Sequence, residues 1–253
     1  MNSIVKYILK NALRDKIYLG IFLALIVSLG LSVFLGSASL IEEQITTSVY
    51  LAGSYRIIIA IGMILFVCLS IGKAFENKEI EFILSKSISR EGVIFSYLIG
   101  FFIVSLLISI PSFLIIAIIG KIKYSGFFLW AISIILENLI LISFTLLASL
   151  ILKNSFSAIF ASFAFYLISR LMGIFVLAID IPKNFIDAKN NILATLLKFL
   201  SVAFPRLDLY AQTSWIVYGI EKINNIKIIF WQFVIYLPLL IFMSFHDFKK
   251  KQF

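Results

Sequence analysis

Six long apolar runs follow one another along the chain, at about 17–36, 54–72, 93–119, 127–152, 156–179 and 226–245. At ~1.5 Å per helical residue, each is long enough to cross a hydrocarbon layer of ~30 Å. Backbone amides find no water in such a layer, so runs of this length predict helices rather than open strands. Polar stretches separate them. The first, residues 3–16, places Val5, Ile8, Leu9 and Ala12 on one side of a helix and Lys6, Lys10 and Arg14 on the other. That is the pattern of an interfacial helix resting on an anionic leaflet. The expected fold class is all-α: a polytopic membrane protein of six transmembrane helices, with an N-terminal interfacial helix and a short cytoplasmic helix between spans two and three.

The polar punctuation adds detail. The apolar core of span one exceeds a signal-peptide core, which predicts an uncleaved anchor. Glu42 and Glu43 mark the loop after it, and Arg56 falls near the outer end of span two, where it can snorkel. Pro111 removes a backbone donor inside span three and predicts a kink. The turn KNS at 153–155 makes spans four and five an antiparallel hairpin. An external loop at 180–225 carries Pro182, Pro205 and an apolar piece at 192–204 too short to cross, which suits a re-entrant or interfacial helix. Tyr210, Trp215 and Tyr218 are expected at headgroup depth.

The segment 73–92 is the one substantial block of mixed charge between two apolar runs. Ile80, Ile83, Leu84 and Ile88 recur at steps of three and four, with Lys78, Glu79, Glu81 and Lys86 on other faces. This is a short amphipathic helix, either a docking surface for a soluble partner or a plain interfacial connector.

Composition restricts the chemistry. Of 253 residues, 62% are hydrophobic and 14% charged, and a mean hydropathy of +1.08 lies outside the range of soluble domains. No soluble domain of even about 50 residues fits between the runs. The single cysteine, Cys68, sits in an apolar run and reads as a buried thiol, and the single histidine, His246, as an interfacial residue. The net charge of +9 reflects lysines and arginines flanking spans and calls for membrane lipids, not nucleic acid, as partner. With the N-terminus inside, the inner segments carry twelve Lys and Arg and the outer ones nine, five of those in the long loop. Short loops decide orientation, so both termini are expected in the cytoplasm. No phosphate-binding G-x-x-x-x-G-K-[ST], no G-x-S-x-G and no H-E-x-x-H occurs, so no catalytic or metal-binding residue is assigned and the chain is not expected to be an enzyme.

Two intramembrane charges stand out. Counted from the outer ends of their expected spans, Glu137 lies about ten residues in and Arg170 about nine, a shared depth. An unpaired charge there costs roughly 2.5–3.5 kcal/mol, which predicts a Glu137–Arg170 ion pair across the hairpin, as a structural fastener or a substrate contact. Small residues line one side of span one (Ser28, Ser32, Gly36) and of span five (Ser157, Ala161, Ser169, Gly173). They predict close helix contact, within the chain or between copies.

The pieces LRDKIY (13–18), LGSASLIEEQ (35–44), IEFILSKSISR (80–90), FPRLDLY (204–210) and FHDFKKKQF (245–253) resemble pieces of bacterial ABC exporter permeases of the type-2 class. The nearest branch is that of the multicopper-enzyme-maturation permeases, whose namesake serves nitrous-oxide reductase maturation. That family joins spans two and three by a glutamate and a segment of the form T-x-x-L-L-S-x-P-x-S-R. Glu76, Ile83, Leu84, Ser85, Ser89 and Arg90 match it, with Ile88 between, Ile80 at the threonine and Ser87 at the proline. The resemblance implies that Glu76, Glu79, Ile80, Glu81, Ile83, Leu84, Ser85, Ile88, Ser89 and Arg90 form a coupling helix seated on a separate ATP-binding cassette ATPase subunit. ATP and Mg would bind that partner, and no cofactor this chain. A second permease copy, identical or paralogous, would pack around spans one and five, and the complex would be an exporter of the cell inner (plasma) membrane. The residues themselves leave open a non-transport scaffold or assembly factor that binds a soluble cytoplasmic partner.

Overall fold

The computed structural model describes residues 2–39, 42–85, 89–152, 154–180, 199, 203–220 and 223–250. They form helices α1 (Asn2–Arg14), α2 (Lys16–Ser37), α3 (Glu43–Glu76), α4 (Glu79–Leu84), α5 (Arg90–Ile119), α6 (Tyr124–Ile151) and α7 (Ser155–Asp180), a 3-10 turn (Leu207–Leu209), then α8 (Ser214–Tyr218) and α9 (Ile223–Lys250). No strand occurs among the described residues. Helices α2, α3, α5, α6, α7 and α9 are long and apolar enough to cross a membrane, so the all-α, six-span expectation is met.

Helix α6 is the centre, packed against α3, α5, α7, α8 and α9, whereas α2 leans mainly on α3. The chain ends of α1 and α9 share one end of the bundle with α4, here the terminal face: Arg90, at the start of α5, donates to the Lys249 carbonyl at 2.8 Å. The segment 203–220 closes the opposite, or loop, face, where the Lys123 amide donates to the Ile216 carbonyl at 2.8 Å. The hairpin of α6 and α7 is as expected: Asn154 Oδ1 accepts from the Phe156 amide at 2.9 Å at the turn, and Phe144 stacks on Phe165.

Four local expectations are corrected. Span two begins at Glu43 rather than about residue 54, because residues 44–56 already bury Thr47, Ser48, Leu51, Ala52, Tyr55 and Arg56 at helical spacing. Their polarity is absorbed locally, since Thr47 and Ser48 donate to the Glu43 and Gln44 carbonyls at 2.8 and 2.6 Å. Helix α1 does not simply rest on lipid: Ile4, Ile8 and Ala12 are buried against α5, where Gly100 makes room for Ile8. Lys6, Lys10 and Arg14 remain exposed. Tyr210 and Trp215 are core residues, not headgroup anchors, and only Tyr218 is exposed. Arg56 is interior rather than snorkelling, with 3% of its surface exposed. Helix α5 runs through Pro111 as a single helix, and Cys68 is buried as expected. The apolar piece 192–204 lies almost wholly outside the described residues.

Candidate functional site

Two places concentrate polar chemistry. The first is in the core near the loop face. Arg56 lies thirteen residues after Glu43, the first residue of α3, and Glu137 thirteen after Tyr124, the first of α6. Both helices descend from the loop face, so each side chain sits ~20 Å along its helix and the two meet. Arg56 Nη2 and Glu137 Oε2 are 2.7 Å apart, with side chains 3% and 2% exposed. This corrects the expected Glu137–Arg170 pair: Arg170 feels Glu137 only as an attractive charge through space.

Both guanidiniums reach instead for the backbone of the FPRLDLY segment. Arg56 donates to the Leu207 carbonyl at 2.9 Å and the Ala211 carbonyl at 3.1 Å. Arg170 donates to the same Leu207 carbonyl at 2.8 Å and to that of Tyr210 at 3.4 Å. A carbonyl oxygen carries partial negative charge and two lone pairs, so buried carbonyls are natural partners for the two cations. Arg206 pairs with Asp208 at 3.0 Å, and the Tyr210 hydroxyl donates to the Ile229 carbonyl of α9 at 2.9 Å. The centre is thus a clamp that ties α3, α6 and α7 to the closing segment. Beside the Arg206–Asp208 pair it brings together the guanidiniums of Arg56 and Arg170 and the Glu137 carboxylate, an arrangement that fixes charge. The resemblance singled out the segment. Arg56 was missed as its partner because it seemed to lie at a span mouth; the buried spacing Ser48, Ala52, Tyr55, Arg56, Ile59 is the signal that would have placed it.

The second place is the connector on the terminal face. Lys78, in the left-handed region at φ 55°, reverses the chain between α3 and α4. The expected apolar stripe exists but faces inward: Ile80 is 2% exposed, and Ile83 and Leu84 pack on the same core. Glu79 also faces the protein, accepting from the Tyr7 hydroxyl of α1 at 2.9 Å. Burial, and then the neighbouring Glu79 carboxylate, raise the Tyr7 phenol above its ordinary value. Ser89 caps α5 by accepting from the Gly92 amide at 3.1 Å, and Arg90 holds carbonyls at the end of α9. Exposed residues of the connector include Glu76, Lys78, Glu81, Phe82 and Ser85; Ile88 lies outside the described residues.

The small residues divide. Ser28, Ser32 and Gly36 are buried on the side of α2 that meets α3, and a Cβ at Gly36 would collide with Thr47 Oγ1. Ser169 is buried, and Gly173 abuts Asp208 of the closing segment, whereas Ser157 is exposed and Ala161 half-buried. The stripe on span one therefore serves contact within the chain. No protein-family model matches this chain, and no curated protein sequence matches it either.

Proposed function

We propose that the chain is the membrane-spanning permease subunit of an ATP-driven transporter, worked by a separate ATP-binding cassette ATPase that docks on the terminal face. One observation carries the reading: the connector between α3 and α5 is fastened by buried or bonded side chains to the core, to α1 and to α9 at once. Ile80, Ile83 and Leu84 enter the core, Glu79 bonds α1, and Arg90 bonds α9. A push on α4 is delivered to several spans together, because packed helices and their hydrogen bonds move as units. Docking then belongs to the outward residues Glu81, Phe82, which is 63% exposed, and Ser85. The clamp at Leu207 is the corresponding gate on the opposite face.

The burial of Arg56 also supports an inner (plasma) membrane orientation with cytoplasmic termini. It removes one charge from the outer side and leaves eight against twelve. The second permease copy meets the outward side of α2, where Leu23, Ile26, Leu31 and Phe34 are exposed, and cargo passes along the seam in the export direction. The test is co-purification of the full chain with an ATP-binding cassette ATPase from the same cell, followed by ATPase and transport assays in lipid vesicles. The expected result is a stable complex in which Phe82→Ala or Glu81→Lys lowers coupled transport at least about tenfold, the effect of ~1.4 kcal/mol at the contact. A chain that assembles with no ATPase overturns the proposal and favours the scaffold reading.

A further inference from the structure

A cavity of about 110 Å³ lies between α1, α3, α4 and α5 at the terminal face, lined in part by Tyr7, Phe66, Ser70, Lys73, Glu79 and Tyr97. It has room for several waters. Its hydrogen bonding is incomplete. Tyr97 is 4% exposed, yet its hydroxyl has no hydrogen-bond partner among the described residues, and neither has the buried Oγ of Ser70. Leaving such groups unsatisfied is costly, so a polar occupant is called for.

Charge then selects the occupant. The Lys73 ammonium is taken up by Asp15, 3.1 Å away. Glu79 accepts from the neutral Tyr7 hydroxyl but has no cation within ion-pair distance among the described residues. Besides the Asp15-paired Lys73 ammonium and the side chains of Asn11 and Asn77, the cavity therefore holds one carboxylate without a cation partner, two hydroxyls able to accept, and the aromatic surface of Tyr7, Phe66 and Tyr97. A metal ion would require more anionic ligands, and no group of three His, Cys, Asp or Glu exists among the described residues. An anion is repelled.

We infer that this cavity binds a primary ammonium group, carried by a phospholipid ethanolamine headgroup or by a free alkylamine. Three N–H donors of an ammonium match three acceptors, the Glu79 carboxylate and the Tyr97 and Ser70 oxygens, while the rings favour the cation. A trimethylated ammonium has no N–H to offer and is discriminated against. The occupant bridges α1 and α4, so it sets how firmly the connector is held. The inference rests on the cavity alone and stands or falls independently of any ATPase.

The test uses the full chain in detergent micelles, exposed to equal amounts of phosphatidylethanolamine and phosphatidylcholine and read by native mass spectrometry. The wild type is expected to retain the ethanolamine lipid about tenfold over the choline lipid, the factor one charge-assisted hydrogen bond supplies. Preference falls stepwise through the N-methyl and N,N-dimethyl lipids. Glu79→Gln and, separately, Tyr97→Phe bring the ratio toward one, with unchanged far-ultraviolet circular dichroism as the folding control. In a second arm, free ethanolamine is titrated without lipid. A Glu79-dependent rise in Tm assigns the site to soluble amines, and lipid preference without such a rise assigns it to the headgroup. Equal retention of both lipids together with no Glu79-dependent effect of ethanolamine overturns the inference and leaves a water-filled cavity.

Discussion

A double-mutant cycle on the core clamp separates Arg56 from Arg170 as the partner of Glu137. The Arg56–Glu137 pair is 2.7 Å apart and almost fully buried, and removing one member of such a pair costs about 3–5 kcal/mol because a buried charge is left alone. In Glu137→Gln, Arg56 keeps its bonds to the Leu207 and Ala211 carbonyls, so the loss falls at the lower end, about 3 kcal/mol. In Arg56→Met, the Glu137 charge is stranded and Ala211 loses its donor, while Arg170 still serves Leu207; about 4–5 kcal/mol is expected. The double variant has no stranded charge and should be less destabilised than the two losses combined, by a coupling of about 2–3 kcal/mol. The same cycle between Glu137 and Arg170 should give under about 1 kcal/mol, since those charges interact only through space. The assay is titration with denaturing detergent, followed by the fluorescence of buried Trp130 and Trp215, the latter on the clamped segment. A coupling of Glu137 to Arg170 as large as its coupling to Arg56 would refute the assignment.

Three further predictions concern local packing and protonation. Gly126→Ala places a Cβ against the Trp215 carbonyl and should cost about 1–3 kcal/mol as overpacking, whereas Gly30→Ala, with nothing within 4 Å, should gain about 0.5–1 kcal/mol; both are read by the same unfolding assay. Ile80→Ala should cost about 2–5 kcal/mol by opening a cavity, and the exposed Phe82→Ala less than about 0.5 kcal/mol; equal losses would mean that α4 does not bury its stripe. The raised Tyr7 phenol favours its protonated form in the folded chain, so its bond to Glu79 is fully present below the ordinary value of 10.0 and is lost as pH rises through the higher folded value. The Tm advantage of wild type over Tyr7→Phe should be flat to about pH 10 and then shrink; an advantage that grows there would overturn this account.

The helical spans were legible because they depend on run length and on a backbone that must bond to itself in lipid, both local properties. The periodicity of α4 was legible for the same reason, as Ile80, Ile83 and Leu84 do share a face. Which way that face points was not. An amphipathic stripe shows that something covers it, and here the chain's own core does so, which shifts the proposed docking residues to Glu81, Phe82 and Ser85.

The ion pair shows the same division in sharper form. A position in a sequence gives depth along a helix, and depth gave Glu137 and Arg170 equal claim to one another. It does not give lateral neighbours. The early start of α3, hidden behind hydroxyls that bond back to their own helix, carried Arg56 from an expected span mouth to the depth of Glu137. Sequence alone thus determined the six spans, the polar connector and the need to pair a buried carboxylate. Only tertiary packing decided that α3 rather than α7 supplies its cation and that Arg170 turns to the Leu207 carbonyl, because the arrangement of helices around α6 follows from many weak side-chain contacts that no local pattern encodes.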